Sequence, residues 1–301
     1  MNVIATAPGK VVLSGEYAVL DGAPAICMAL NRRAIAKVNE SPDGQCHVVT
    51  SGFAGDDRFR IVDAVCGGVR PARSIALDTQ AFSDTGSKTG IGSSAALTVA
   101  LVAALGKSEN VFVQSLLAHS ELQGGAGSGV DVAAAVHGGL IEYEMKTRSV
   151  SRIDWPEGLA WRLIWTGVAA STEAKLAKLA KHAGGPSRSA LGLASYKMAE
   201  AWRSGNTDTI LSEYVAYIGV LRQFSVDHDL VIFDAGHEQL SDAATFDGLI
   251  YKPAGAGGGD IGVLFGRNEP DLDCFVAEHS QLVHAVLPCD LDWDGVRLEQ
   301  Q

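Results

Sequence analysis

The spacing of apolar positions changes several times along the chain, and each change marks an element. Asn2 to Ala7 alternates weakly before Pro8-Gly9, which predicts a strand entering a turn, with Val11 to Leu13 and Tyr17 to Leu20 continuing as strand. Asn31 to Glu40 and Cys46 to Thr50 also favour strands, and Ser41-Pro42-Asp43-Gly44 between them predicts a hairpin. From Ser93 the pattern turns into A-A-L-T-V-A-L-V-A-A-L, apolar on every face and closed by Gly106, as in a helix buried on all sides. A second helix is predicted over Val111 to Gln123. The loop Gly124 to Gly129 then precedes a small-residue helix, Val130 to Val136, ended by Gly138-Gly139.

Polar and turn residues interrupt the periodicity at Ser151 to Gly158, which divides the chain into an N-terminal domain, 1–157, and a C-terminal domain, 158–301. Beyond it, a strand at Leu159 to Trp165 is followed by helices at Ser171 to His182, Ser187 to Ser204 and Thr207 to Ser225. Short strands are predicted near Leu230 to Phe233, Gly248 to Lys252 and Ile261 to Leu264. The fold class is α+β, and 301 residues suit two domains of ordinary size.

Composition narrows the function. With 24 Lys and Arg against 35 Asp and Glu, the formal charge of −11 provides no footprint for nucleic acid or an anionic membrane, although local donors can still bind an anion. The five cysteines (27, 46, 66, 274, 289) are scattered without zinc-ligand spacing and read as free thiols. The N-terminus lacks a basic region followed by an apolar one, and the longest apolar run, Ala95 to Leu105, is too short to span a bilayer, so a cytoplasmic location is expected.

Three glycine loops carry the chemical signal. In K-T-G-I-G-S-S-A-A, Lys88 to Ala96, two glycines let backbone approach a ligand and two hydroxyls open a helix whose free N–H groups form an anion site; Ser93 or Ser94 can also offer a hydroxyl to Mg²⁺. The plainer reading makes Ser93 an N-cap and the glycines turn formers. A dinucleotide fingerprint with Glu109 as ribose acid fails on context, because a polar loop and not a buried strand precedes Gly90. A Walker loop fails because Leu101 stands where its first glycine belongs. The second loop, Ala7 to Gly22, presents Lys10 after a Pro-Gly turn, whose plainer reading is a solvated lysine. The third, Tyr251 to Asp260, holds more glycine than a mere connection warrants, which points to close approach of backbone and ligand.

Together, P-G-K-V-V-L-S-G-E-Y-A-V, K-T-G-I-G-S-S-A-A and G-A-G-G-G-D resemble the three signature motifs of GHMP kinases, in the family's order, with G-S-G-V-D (Gly127 to Asp131) matching the segment of its catalytic aspartate. Within that superfamily, S-G-E-Y-A-V-L-D-G, Lys88, A-H-S-E-L-Q-G, W-T-G-V-A-A-S-T and K-P-A-G-A-G-G-G-D are similar to the phosphomevalonate kinase subfamily, although Val130 stands where phenylalanine is common. The resemblance implies a two-domain GHMP kinase fold, with an N-terminal domain similar to ribosomal protein S5 domain 2 and a ferredoxin-like C-terminal domain. It implies ATP with Mg²⁺ on Lys88, Gly90, Gly92, Ser93, Ser94 and Ala95, with Ser94 the metal ligand in preference to Glu121. Asp131 then accepts or orients the acceptor's proton, Lys10 pairs with it and stabilises the transferred phosphoryl group, and Glu16, Tyr17, Ser128, Gly129, Ala256, Gly257 and Gly258 meet a small phosphorylated acceptor. Arg32, Arg33 and Lys252 are candidates for that acceptor's phosphate.

The implied reaction is conversion of phosphomevalonate to diphosphomevalonate in the mevalonate pathway, by a monomer or homodimer. Mevalonate kinase is the alternative, followed by diphosphomevalonate decarboxylase, whose second motif usually has alanine where Gly92 stands, and by a non-catalytic sensor, which has no need of Lys10 and Asp131.

Overall fold

The first apolar stretch forms a longer strand than its Pro-Gly pair suggests. In the computed structural model, which describes residues 2–52, 57–84, 87–106, 110–125, 127–180 and 184–300 (backbone alone at 57–58, 84, 87–88 and 300), β1 runs unbroken over Val3–Ser14. Gly9 is a point of close packing inside it and not a turn. Tyr17 takes a left-handed φ of 61°, and the predicted strand after it is the short helix α1 (Ala18–Asp21).

The chain then forms β2 (Ala25–Glu40), β3 (His47–Ser51), α2 (Asp57–Cys66) and β4 (Arg73–Asp78). The expected hairpin of β2 with β3 is replaced: β4 lies between them, antiparallel to β2 and parallel to β3, because α2 carries the chain back between the last two strands. A small ladder of β5 (Ser83–Asp84) and β6 (Ser87–Lys88) leads to α3 (Ser93–Leu105), α4 (Val111–Leu122) and α5 (Val130–His137). As predicted, α3 is buried from Ala95 to Ala104 and ends on a left-handed Gly106, and it packs against α4 and α5.

The remaining elements are β7 (Leu140–Glu144), β8 (Ser149–Ile153), β9 (Ala160–Trp165), α6 (Thr172–Ala180), α7 (Pro186–Ser204), α8 (Thr207–Asp227) and α9 (His237–Phe246). They end with β10 (Ile250–Pro253), β11 (Ile261–Gly266), α10 (Glu269–Glu278), β12 (Ala285–Leu287) and β13 (Arg297–Gln300). The strand expected near Leu230 to Phe233 is a turn, since Val231 adopts φ 46° and cannot extend.

Packing divides the chain into two discontinuous units, 1–11 with 28–141 and 290–301, and 12–27 with 142–289. The boundary read from sequence at 157/158 is a single cut, whereas β13 returns to pair antiparallel with β1 from Val3↔Gln300 to Thr6↔Arg297. In the first unit the strand order is β13-β1-β2-β4-β3, with β7 beside β2. In the second, the antiparallel sheet β10-β11-β9-β12 has the second-third-first-fourth order of a ferredoxin-like domain, matching the α+β expectation. Its core joins Ile164 and Leu264 of the sheet to Leu240 and Ala244 of α9 and to Leu272 and Phe275 of α10. The five cysteines are free thiols, and among the described residues no helix is long and apolar enough to cross a membrane.

Candidate active site

In the first unit, two glycines bring the first and second loops together. A Cβ on Gly9 would meet the Ile91 carbonyl oxygen at 2.7 Å and the Phe82 ring at 2.8 Å. Without it, β1 comes close enough for the Lys10 backbone N–H to donate to that carbonyl at 2.8 Å. Buried Thr89 fixes the other side of the loop, its Oγ1 donating to the Phe82 carbonyl at 2.8 Å. Gly90 and Gly92 take left-handed φ values of 76° and 85°. Gly92 serves twice, as the N-cap of α3 and as room for the Lys10 side chain, since a Cβ there would lie 3.0 Å from Cε and 3.1 Å from Cγ of Lys10.

Lys10 reaches past this glycine to Asp131, Nζ to Oδ1 at 3.2 Å, with both side chains largely shielded from solvent. Asp131 is the second residue of α5 and does not cap it. Gly129 is the N-cap at φ 81°, and the Ser128 hydroxyl accepts from the Val130 N–H at 3.4 Å. Gly92, and not Ser93, is likewise the cap of α3, so Ser93 and the exposed Ser94 keep their hydroxyls beside the helix N-terminus while Ala95 is buried in the helix. His119 from α4 is buried in the same region. Burial pushes its imidazole pKa down, Asp131 opposes that shift and Lys10 adds to it, so His119 stands as a neutral ring near the pair. Glu121 is exposed. The Lys88 side chain, and Glu109, lie outside the described residues.

In the second unit the structure revises two expectations. Glu16, read as an acceptor ligand, is 4% exposed and forms an ion pair with Lys252, itself fully buried and read as a phosphate ligand. Glu16 also accepts from the Tyr217 hydroxyl at 2.7 Å, which in turn accepts from the Gly15 N–H at 2.8 Å, and Lys252 donates to the Pro253 carbonyl at 2.6 Å. Their charges are consumed internally, and the pair anchors the first loop to α8 and β10. Arg33, the third phosphate candidate, belongs to the first unit. It pairs with Asp292, donates from Nε to Thr6 Oγ1 at 2.9 Å and bonds the Thr6 and Gly295 carbonyls. Arg32 is half-buried.

Tyr17 follows Glu16, and its hydroxyl donates to the Ala256 carbonyl at 2.6 Å; burial and the Glu16 charge raise its pKa. It therefore acts on the third glycine loop as a phenol. Gly257 and Gly258 are left-handed at φ 66° and 70°, and the Gly258 N–H donates to the Ile232 carbonyl at 2.7 Å. Lys175 of α6 touches the carbonyl side of this loop, donating to Gly257 O at 2.7 Å. Sequence reasoning passed over Lys175 because nothing in A-S-T-E-A-K-L marks that lysine as buried.

Among the described residues, the cluster of three potential metal ligands is Asp247, Glu278 and His279, which includes none of the predicted site residues. What the first unit offers is a hydroxyl and a helix N-terminus beside a cation–carboxylate pair, a donor set suited to a metal held mainly by a ligand's phosphates.

No family model matches the chain. In sequence it is 29% identical to a phosphomevalonate kinase from Streptomyces sp. (strain CL190), over 96% of both chains. It is 31% identical to a mevalonate kinase from Methanothermobacter thermautotrophicus over 49% of this chain and 52% of that one. In structure it matches the phosphomevalonate kinase of Streptococcus pneumoniae, solved with phosphomevalonate and AMPPNP, at a TM-score of 0.81 and 18% identity, over 96% of this chain and 99% of that one.

Proposed function

We infer, from a chain that is a GHMP kinase by sequence and fold and resembles phosphomevalonate kinase over nearly its whole length, that it transfers the γ-phosphoryl group of ATP to phosphomevalonate. The observation that carries this reading is the extent of the likeness: the phosphomevalonate kinase aligns over 96% of the chain, the mevalonate kinase over 49%. An oxygen of the acceptor's phosphate forms the new bond to the γ-phosphorus, and the bond to the bridging oxygen breaks with its electron pair leaving on ADP.

Such an oxygen is already anionic at neutral pH, so the carboxylate's work is orientation more than proton removal. Asp131 holds the approach geometry while Lys10, 3.2 Å away, carries the positive charge that favours the equatorial oxygens of the transferring group. The backbone N–H groups opening α3, reached through Gly90 and Gly92, receive the nucleotide's phosphates. The exposed Ser94 hydroxyl at the start of α3 would help to hold Mg²⁺ taken up with ATP, and the ion would supply charge neutralisation to the phosphates. Ser128 and Gly129 in the first unit, and Tyr17 and the loop at Ala256 to Gly258 in the second, are assigned to acceptor recognition, and Glu16 supports the second group through its pair with Lys252.

The test is a coupled ADP-release assay offering mevalonate, phosphomevalonate, homoserine and galactose in parallel with ATP and Mg²⁺. Phosphomevalonate is expected to turn over fastest and give the diphosphate. Faster turnover of mevalonate moves the assignment to mevalonate kinase, and CO₂ release from the diphosphate moves it to the decarboxylase.

A further inference from the structure

Lys175 is nine-tenths buried, yet among the described residues no carboxylate lies within ion-pair distance of it. Its Nζ donates instead to three carbonyls, Gly257 at 2.7 Å, Ala256 at 3.3 Å and Val231 at 3.4 Å. An ammonium has three donors and no acceptor, so three converging carbonyls match its full capacity. Gly258 makes the room: a Cβ there would sit 2.2 Å from the Lys175 Nζ and 2.7 Å from the Val231 oxygen, at φ +70°. Val231 is itself an outlier, a β-branched residue at φ 46°, a strained conformation that persists only where neighbours over-determine it. Those neighbours are Lys175 on its carbonyl, the Ser225 hydroxyl accepting from the Ile232 N–H at 2.9 Å, and the Gly258 N–H on the Ile232 carbonyl at 2.7 Å.

We propose that Lys175 is a positioning residue for the acceptor: its ammonium draws the Ala256 and Gly257 carbonyls to one side of the third glycine loop and so fixes the conformation in which the loop receives the acceptor's phosphate. This rests on the reading of that loop as an acceptor site. Tyr17 pulls the Ala256 carbonyl as well, at 2.6 Å, so the loop is held by two donors from different elements. Burial pushes the Lys175 pKa down to about 8, with Lys178 lowering it further and Asp234 and Asp260 opposing. His237, also buried near this loop, is neutral above about pH 4 and adds no competing titration there. Above about pH 8 the amine therefore has two hydrogens for three carbonyls.

The experiment measures kcat and both KM values from pH 6.5 to 9.5 for the full chain and for Lys175→Met, using whichever acceptor of the four-compound panel turns over fastest. In the unaltered protein the acceptor KM should climb above about pH 8. Lys175→Met should raise the acceptor KM roughly tenfold or more at pH 7.5, the loss expected for hydrogen bonds to a charged group, leave the ATP KM within about twofold, and abolish the climb. Gly258→Ala should cost less in the Lys175→Met background than alone, because the methyl then displaces no ammonium. A folded Lys175→Met variant with an unchanged acceptor KM overturns the proposal. If that variant does not fold, an acceptor KM that stays flat to pH 9 in the unaltered protein overturns it equally. A best acceptor other than phosphomevalonate would remove the functional reading and leave the test of Lys175 in force.

Discussion

Asp131 shows how a single side chain is specified by residues far from it. Its carboxylate meets Lys10 at 3.2 Å because Gly92 leaves the lysine stem a path and Gly129, not Asp131, caps α5. Asp131→Asn keeps shape and helix start but removes the charge opposite Lys10. Turnover is expected to fall on the order of a hundredfold or more, with a change of less than about 1 kcal/mol in stability from the lost first-turn charge. Steady-state kinetics beside a thermal melt check this, and near-normal turnover would contradict the assigned role. The sequence singles out Lys10 and Asp131 as candidates because each sits in a motif whose glycines imply backbone close to a ligand, and the structure places the two side chains 3.2 Å apart. Glu16 was misread as a ligand because its partners, Tyr217 and Lys252, lie 201 and 236 positions away, and local sequence does not carry the burial that their pairing imposes. Lys175 was missed for the same reason.

At the scale of elements, helices were read well and strand pairing was not. The buried face of α3 and its terminal Gly106 are written in consecutive residues, whereas the insertion of β4 between β2 and β3 depends on a crossover through α2 that no local turn signal announces. The start of α9 gives a pH prediction. His237 is buried with Nδ1 accepting from the Tyr251 hydroxyl at 2.8 Å and Nε2–H donating to the Gly259 carbonyl at 3.0 Å, and burial pushes its pKa down to about 4. The unfolded chain therefore binds the proton more readily between about pH 6.5 and 4, so this contribution to stability is complete above 6.5 and lost as pH falls through about 4. Up to about 3 kcal/mol is at stake. His237→Gln should flatten the acid limb of a stability-against-pH curve measured by denaturant melts over that interval, and an unchanged limb would show that other groups control it.

For the molecule as a whole, no local signal in the sequence marks the discontinuity of the first packed unit, to which the pairing of residues 3–6 with 297–300 contributes. Deleting residues 297–301 removes the partner of Val3 to Thr6 and leaves the outer edge of β1 unpaired. A loss of about 1–2 kcal/mol, seen as a fall of roughly 2–8 °C in Tm together with greater aggregation, is expected from calorimetry of the truncated chain. An unchanged Tm would mean that β13 is dispensable.

The same pairing sets a timetable during synthesis. The first sheet lacks its β13 edge until residues 297–300 have left the ribosome, and the Asn31–Asp290 bonds and the Arg33–Asp292 pair must wait as long. The second unit, by contrast, has all its residues once Cys289 is made. A nascent chain therefore carries an unfinished N-terminal sheet for almost three hundred residues of synthesis, the interval in which an open strand edge is most exposed to wrong partners and a chaperone has most to shield.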